Sequence, residues 1–233
     1  SGKITTETIS TDSYDAIKTA GSMDFNLVQG KEGEISIKGD DNLMEYIEVE
    51  VKNTALHVGI KNGYNLKPTQ TIVVTIPYES INAVSLAGSG DVENSGIIES
   101  DKLKVSLAGS GDVTINVKAD SVSSSLAGSG DLNLTTTITN QSSFSADDVV
   151  QVYVSMPDAP IKTPNKQLVG FKHITLKNES KNDIKFTIPK NKLSYINEQG
   201  IAVAYKGRLI ITVGSGQGIK IPKDKFTVTN IVL

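Results

Sequence analysis

Few side chains in this chain are equipped for catalysis, and their spacing decides what they can do. His57 and His173 are the only imidazoles in 233 residues. A Ser-His-Asp triad or a metal centre needs such a ring beside a nucleophile, an acid or a second ligand. Nothing in the neighbouring sequence marks one, so both are expected at hydrogen-bonded or solvated surface positions. Adjacent carboxylates occur at Asp40-Asp41 and Asp147-Asp148. Neighbours in a strand point to opposite faces, so neither pair forms an acid–base dyad, and both read as turn residues. Tyr46, Tyr64 and Tyr78 offer rings for stacking on a sugar, but such platforms lean on Trp, and Trp is absent. Packing is the expectation for these rings. Tyr64, set among Asn62, Gly63 and Asn65, is the one expected to be exposed and the candidate ligand contact.

The strongest signal is a phrase written three times. Val84-Ser85-Leu86-Ala87-Gly88-Ser89-Gly90-Asp91-Val92 recurs letter for letter at Val105–Val113, and again with small changes at Ser124–Leu132. Gly-x-Gly-Asp invites comparison with glycine-rich calcium repeats, whose period is nine residues. Here the offsets are 21 and 19, so one turn lacks a second turn's ligands, and the reading is an Asp that caps local backbone N–H groups. A phosphate loop is favoured still less than calcium, because no Lys-Ser or Lys-Thr follows the glycines and no helix start is evident. The corner residues are Gly88, Gly90, Asp91, Gly109, Gly111, Asp112, Gly128, Gly130 and Asp131, all read as structural. No catalytic, metal-binding or cofactor-binding residue is assigned.

A repeat near 20 residues that alternates apolar and polar and then turns on glycine marks a β-solenoid. In each copy Val and Leu face one side and Ser the other. The glycines permit positive φ at a tight corner. Residues Ile17–Leu27 read as a degenerate earlier copy. Short strands are expected at Glu34–Lys38, Leu56–Ile60 and Ile72–Ile76, the last closed by Pro77. Asn42–Val51 is ambiguous between a helical turn and a strand. After Leu134 the repeat stops. Strands at Val149–Val154, Lys172–Leu176, Asp183–Ile188, Ala202–Tyr205, Leu209–Val213 and Phe226–Leu233 have the spacing of a β-sandwich, with Tyr153 and Phe171 in its core. That sandwich is expected to sit on the last coil and cover its open edge.

Composition narrows the function classes. Net charge is −3, and Lys and Arg form no dense block, so nucleic acid is not an expected partner. Cysteine is absent, which removes disulfides and thiolate chemistry. No run of apolar residues is long enough to span a bilayer. The chain starts at Ser1-Gly2-Lys3 without an initiator Met, as expected if a leader has been removed; a lipid anchor upstream is compatible with this.

Two resemblances follow from phrases in order. Tyr14–Phe25, Leu27–Gly30, Ile76-Pro77 leading to Ile81, and the three Gly-Ser-Gly-Asp corners resemble the autotransporter adhesin head domain (GIN domain) family, which implies adhesion at the cell surface. Thr139-Asn140, Asp148–Val154, Lys166–Phe171, Phe186–Pro189 and Ile211–Ser215 resemble the fibronectin type III-like domain that closes family 3 glycoside hydrolases. Hydrolysis does not carry over, since in those enzymes the nucleophile sits in a separate barrel. The expectation is therefore an all-β protein: a short right-handed parallel β-helix over residues 1–134, then a fibronectin type III-like β-sandwich over 135–233. Its expected role is non-catalytic, an exported surface or periplasmic adhesin or scaffold that binds a cell-surface glycan or protein. The alternative is an accessory carbohydrate-binding or enzyme-associated module.

Overall fold

The computed structural model describes residues 2–128, 132–140, 143–188, 192–205, 207–214 and 230–232. Among these the elements are β1 (Ile4–Ser10), β2 (Ala16–Gly21), β3 (Asp24–Gln29), β4 (Glu34–Asp40), a 3-10 turn (Asp41–Tyr46), β5 (Ile47–Lys52), β6 (Ala55–Ile60), β7 (Val73–Tyr78), β8 (Ala83–Gly88), β9 (Val92–Ser95) and β10 (Ile98–Gly109). There follow β11 (Val113–Ile115), β12 (Val117–Gly128), β13 (Leu132–Thr139), β14 (Ala146–Ser155), β15 (Gln167–Leu176), β16 (Lys181–Ile188), β17 (Ser194–Ile196), β18 (Ala202–Ala204), β19 (Arg208–Gly214) and β20 (Asn230–Val232). The fold is all-β.

Two nine-stranded sheets carry the structure. One runs β1-β4-β7-β3-β9-β11-β20-β13-β16 and the other β15-β14-β19-β12-β10-β8-β2-β6-β5. The repeat explains their centres. Each copy gives the second sheet one strand, and these strands pair in parallel at the register of the repeat: Leu86 with Leu107, Leu107 with Leu126, and Gly88 with Gly109 with Gly128. The degenerate copy joins in the same register, Ile17 with Val84 and Gly21 with Gly88. The first sheet is stacked likewise, with Phe25, Val92 and Val113 at equivalent positions.

The period-two pattern decides what lies between the sheets. Ile17, Val84, Val105 and Ser124 form one fully buried row. Phe25, Leu27, Val74, Ile76, Val92 and Val113 meet them from the other sheet, so one continuous core runs through both halves. Burying each aliphatic side chain is worth about 1.5–3 kcal/mol, so a core with few aromatics suffices. Thr19 sits in register between Leu86 and Val58 and satisfies its buried hydroxyl by donating to Ser85 O at 3.0 Å.

Several expectations needed correction. Asn42–Val51 is both alternatives in turn, a 3-10 turn burying Met44 and then β5. Strand β7 runs through Pro77 to Tyr78 instead of ending before it. Pairing with β4 ceases at Thr75, so the missing N–H of Pro77 costs that ladder nothing. The expected boundary at 134/135 falls inside β13. Strand β13 does not stack on β11. Strand β20 lies between them, antiparallel to both. On the other sheet β19 pairs antiparallel with β12. The later strands therefore cover the open edge of the stack by adding to its two sheets. Phe171 lies on an outer face, 68 % exposed, whereas Tyr153 is buried and donates to Gln151 Oε1 at 2.6 Å. Of the expected last strand, Phe226–Thr229 and Leu233 lie outside the described residues.

Candidate functional site

The glycine corners come together in space as successive steps of one ladder. Gly88 and Gly109 have φ of +149° and +142°. Ser89 and Gly90 N–H donate to Gly21 O at 3.0 and 3.1 Å, and Ser110 and Gly111 N–H donate to Gly88 O at 3.0 and 3.2 Å. Gly90 and Gly111 serve a different need. Their φ is not left-handed, but a Cβ on either would collide with the Met23 or Gly90 carbonyl of the preceding step. The third corner is described as far as Gly128, and Gly130 and Asp131 lie outside the described residues. The Asp side chains cap backbone donors across steps, not within their own corner as the local-capping reading had it. Asp24 Oδ1 accepts from Asp91 N–H at 3.3 Å, and Asp91 Oδ1 from Asp112 N–H at 3.0 Å. Stacked carboxylates would repel each other without such donors. These residues build the wall.

That wall presents a trough on the outer face of the second sheet. Side chains pointing away from the core align across strands in two rows. One is Ser125, Ser106, Ser85, Lys18, His57 and Glu50 in register. The other is Ala127, Ala108, Ala87 and Ala20, continued by Gly59, which packs against Ala20. Small side chains leave a depression of about 440 Å³, walled at one end by Glu48, Glu50 and Ile60. It crosses six strands from β5 to β12, about 24 Å at the usual strand spacing. Sequence reading missed the alanines, although each copy repeats them and Ala20 anticipates them.

The polar groups lining it are the hydroxyls of Ser85, Ser106 and Ser125 with Lys18, His57, Glu48 and Glu50. Lys18 separates Ser85 from His57 by a whole strand, and among the described residues no hydrogen bond ties His57 to an acid or a serine. His57 and His173 are on the same sheet, seven strand spacings apart, or about 34 Å. No group of three or more metal-ligating side chains occurs among the described residues. Glu50 pairs with Lys52, an exposed contact that contributes little.

The other singled-out residues are held structurally. Asp40 is buried and accepts the Thr69 N–H and hydroxyl at 2.7 and 2.6 Å. The Thr69 hydroxyl, then its N–H, hold the Asp40 carboxyl below its ordinary 3.8. Asp41 Oδ1 accepts Lys3 and Asn42 N–H. Asp147 and Asp148 lie within β14 and not in a turn; they accept the Thr175 hydroxyl and Val149 N–H. Tyr78 is buried in the core. Tyr64 is 55 % exposed and packs on Tyr46 at 4.6 Å between ring centres, outside the trough. At the far corner Asn94 Oδ1 accepts Asn116 N–H at 2.6 Å, a link between steps that the sequence reading missed.

Similarity to known proteins agrees with the two halves. Residues 148–217 match a fibronectin type III-like domain. A β-xylosidase from Formosa agariphila is 32 % identical over 82 residues, 35 % of this chain and 11 % of that protein, so the chain spans about a tenth of its length. A solved candidate lipid-binding protein from Parabacteroides distasonis is 28 % identical with a TM-score of 0.46, covering 51 % of this chain and 52 % of the other. A candidate adhesin from Parabacteroides merdae is 25 % identical with a TM-score of 0.41, over 50 % and 53 %. The chain spans about half of each of those structures. Residues 13–157, well over half of the chain, match the family described as "Putative auto-transporter adhesin, head GIN domain", and the chain belongs to that family.

Proposed function

We propose that the protein is a non-catalytic adhesion module of the cell surface or periplasm, and that its trough holds an extended, neutral glycan chain. The observation that carries this is the pair of parallel rows, hydroxyls at Ser85, Ser106 and Ser125 beside methyls at Ala87, Ala108 and Ala127. Each row repeats at about 4.8 Å, close to the span of one pyranose along an extended chain. Hydroxyls meet the sugar edges while methyls bed the ring C–H faces. Each contact is weak, and display in many copies raises the avidity. The family match supports adhesion in general. The stacked steps read as a short right-handed parallel β-helix, the hand taken by nearly all such crossovers, with residues 135–233 as a fibronectin type III-like β-sandwich.

A glycan array with the labelled full chain tests the reading. Selective binding to linear neutral saccharides is expected, and Ala108→Arg, which fills the trough at its middle from an exposed position, should abolish it. A second reading, an enzyme-associated carbohydrate module, is favoured by the fibronectin-like match and the β-xylosidase similarity. Glycan binding that survives Ala108→Arg would support that reading. Absence of any glycan binding would remove both.

A further inference from the structure

The loop between β6 and β7 is fastened at both ends, and its tip is an exposed turn closed by Tyr64 N–H donating to Lys61 O at 3.3 Å. Lys61 N–H donates to Tyr46 O at 2.9 Å. At the other end Thr69 is clamped on the buried Asp40. Between these ties Lys61 to Asn65 are all exposed. The tip is Asn62-Gly63, the one Asn-Gly pair in the chain. Gly63 has φ of +87°, and a Cβ placed on it would meet nothing within 4 Å.

Other asparagines are held. Asn94 Nδ2 donates to Gly96 O and Asn116 O at 3.1 and 3.2 Å. Asn140 Nδ2 donates to the carbonyls of Phe144, Leu176 and Lys177. Asn197 Oδ1 accepts Gln199 and Ile201 N–H. Each must break those bonds before its carboxamide can swing onto the next backbone nitrogen. None is followed by glycine, so a side chain also crowds that nitrogen.

We propose that Asn62 is a self-modifying site, where the Gly63 backbone nitrogen attacks the Asn62 side-chain carbonyl carbon and closes a succinimide. The new bond is Gly63 N to Asn62 Cγ. The Cγ–Nδ2 bond breaks, and the proton from Gly63 N leaves with the amide as ammonia. A solvent water then adds to either imide carbonyl and breaks its bond to nitrogen, yielding aspartate or isoaspartate. No oxidant or reductant takes part. The loop tip changes from neutral to anionic beside Tyr64. Glu45 already raises the neighbouring Tyr46 hydroxyl above its ordinary value, and the new charge adds to that field. The ties at Lys61 and Thr69 confine the change to the tip.

The test is peptide mapping of the folded full chain after prolonged incubation at mildly alkaline pH. The peptide holding Asn62 should gain the mass difference between hydroxyl and amide and accept methyl groups from an isoaspartyl methyltransferase. Peptides holding Asn94, Asn116 and Asn140 should change at least about tenfold more slowly, the factor that a modest added barrier produces. Gly63→Ala should slow the reaction by a similar factor. Because that variant strains a left-handed position, Asn62→Ser, which keeps Gly63, is the second control and should remove the signal entirely. The proposal is overturned if Asn62 keeps its amide in the folded chain while a urea-unfolded sample loses it, or if Asn94 reacts as fast.

Discussion

Replacing single glycines by alanine separates two costs that look alike on paper. Gly109→Ala meets both. Its φ of +142° is strained for a residue with a Cβ, costing about 1–3 kcal/mol. The Cβ would also stand inside contact with Gly88 O. That carbonyl holds Ser110 and Gly111 N–H, and losing both bonds costs about 1–3 kcal/mol more. The expected loss is about 2–6 kcal/mol, a large part of a typical stability of about 5–15 kcal/mol. Gly96→Ala meets only the first cost, since φ is +96° and nothing lies within 4 Å; about 1–2 kcal/mol is expected. Gly30→Ala meets neither and should fall within about 0.5 kcal/mol of the parent. Urea unfolding followed by circular dichroism reads all three as shifts in midpoint at constant slope. If Gly109→Ala is no more damaging than Gly96→Ala, the steps do not stack as described and the reasoning fails.

Three further outcomes are expected. Ser124 continues the row of Ile17, Val84 and Val105 with its buried hydroxyl unpartnered, so Ser124→Val should stabilise by about 1–3 kcal/mol and raise Tm by about 2–4 °C per kcal/mol; a lower Tm contradicts this. The folded pKa of Asp40 is depressed, so its contribution is present above the unfolded value near pH 4 and is lost as pH falls through the lower folded value. Thr69→Val removes one donor, so its deficit in urea midpoint against the parent should be clear at neutral pH and shrink in strong acid; a deficit that stays constant refutes the link. Ending the chain after residue 134 removes β19 and β20, which cover β12 and β11. The shortened chain should self-associate or aggregate in light scattering where the full chain does not, and a stable monomer would show that the edges need no cover.

The stacked register was legible because identical residues recur at a nearly fixed offset, and only parallel stacking brings such copies together. Ile17 through Gly21 could be placed as an earlier copy for the same reason. Phe171 was misplaced because alternation identifies the two faces of a strand without saying which one is covered, and β15 is an edge strand with one face open. Insertion of β20 between β11 and β13 left no local trace, since strand order is set by long-range pairing. The trough was half legible. Serines were expected on the outer face, but its depth comes from the alanines beside them, whose small size matters only once neighbouring strands are seen in register. Tyr64 was correctly expected to be exposed, and no local signal could have shown that it stands apart from the trough.

The central claim is that the outer serine and alanine rows form one continuous receiving surface. Titration calorimetry with a linear neutral oligosaccharide, comparing the parent with Ala108→Arg at matched circular dichroism, tests it most directly. Saturable heat with the parent and none with the variant is the predicted result. Equal heats from the two proteins, or none from the parent across a panel of such saccharides, would contradict it.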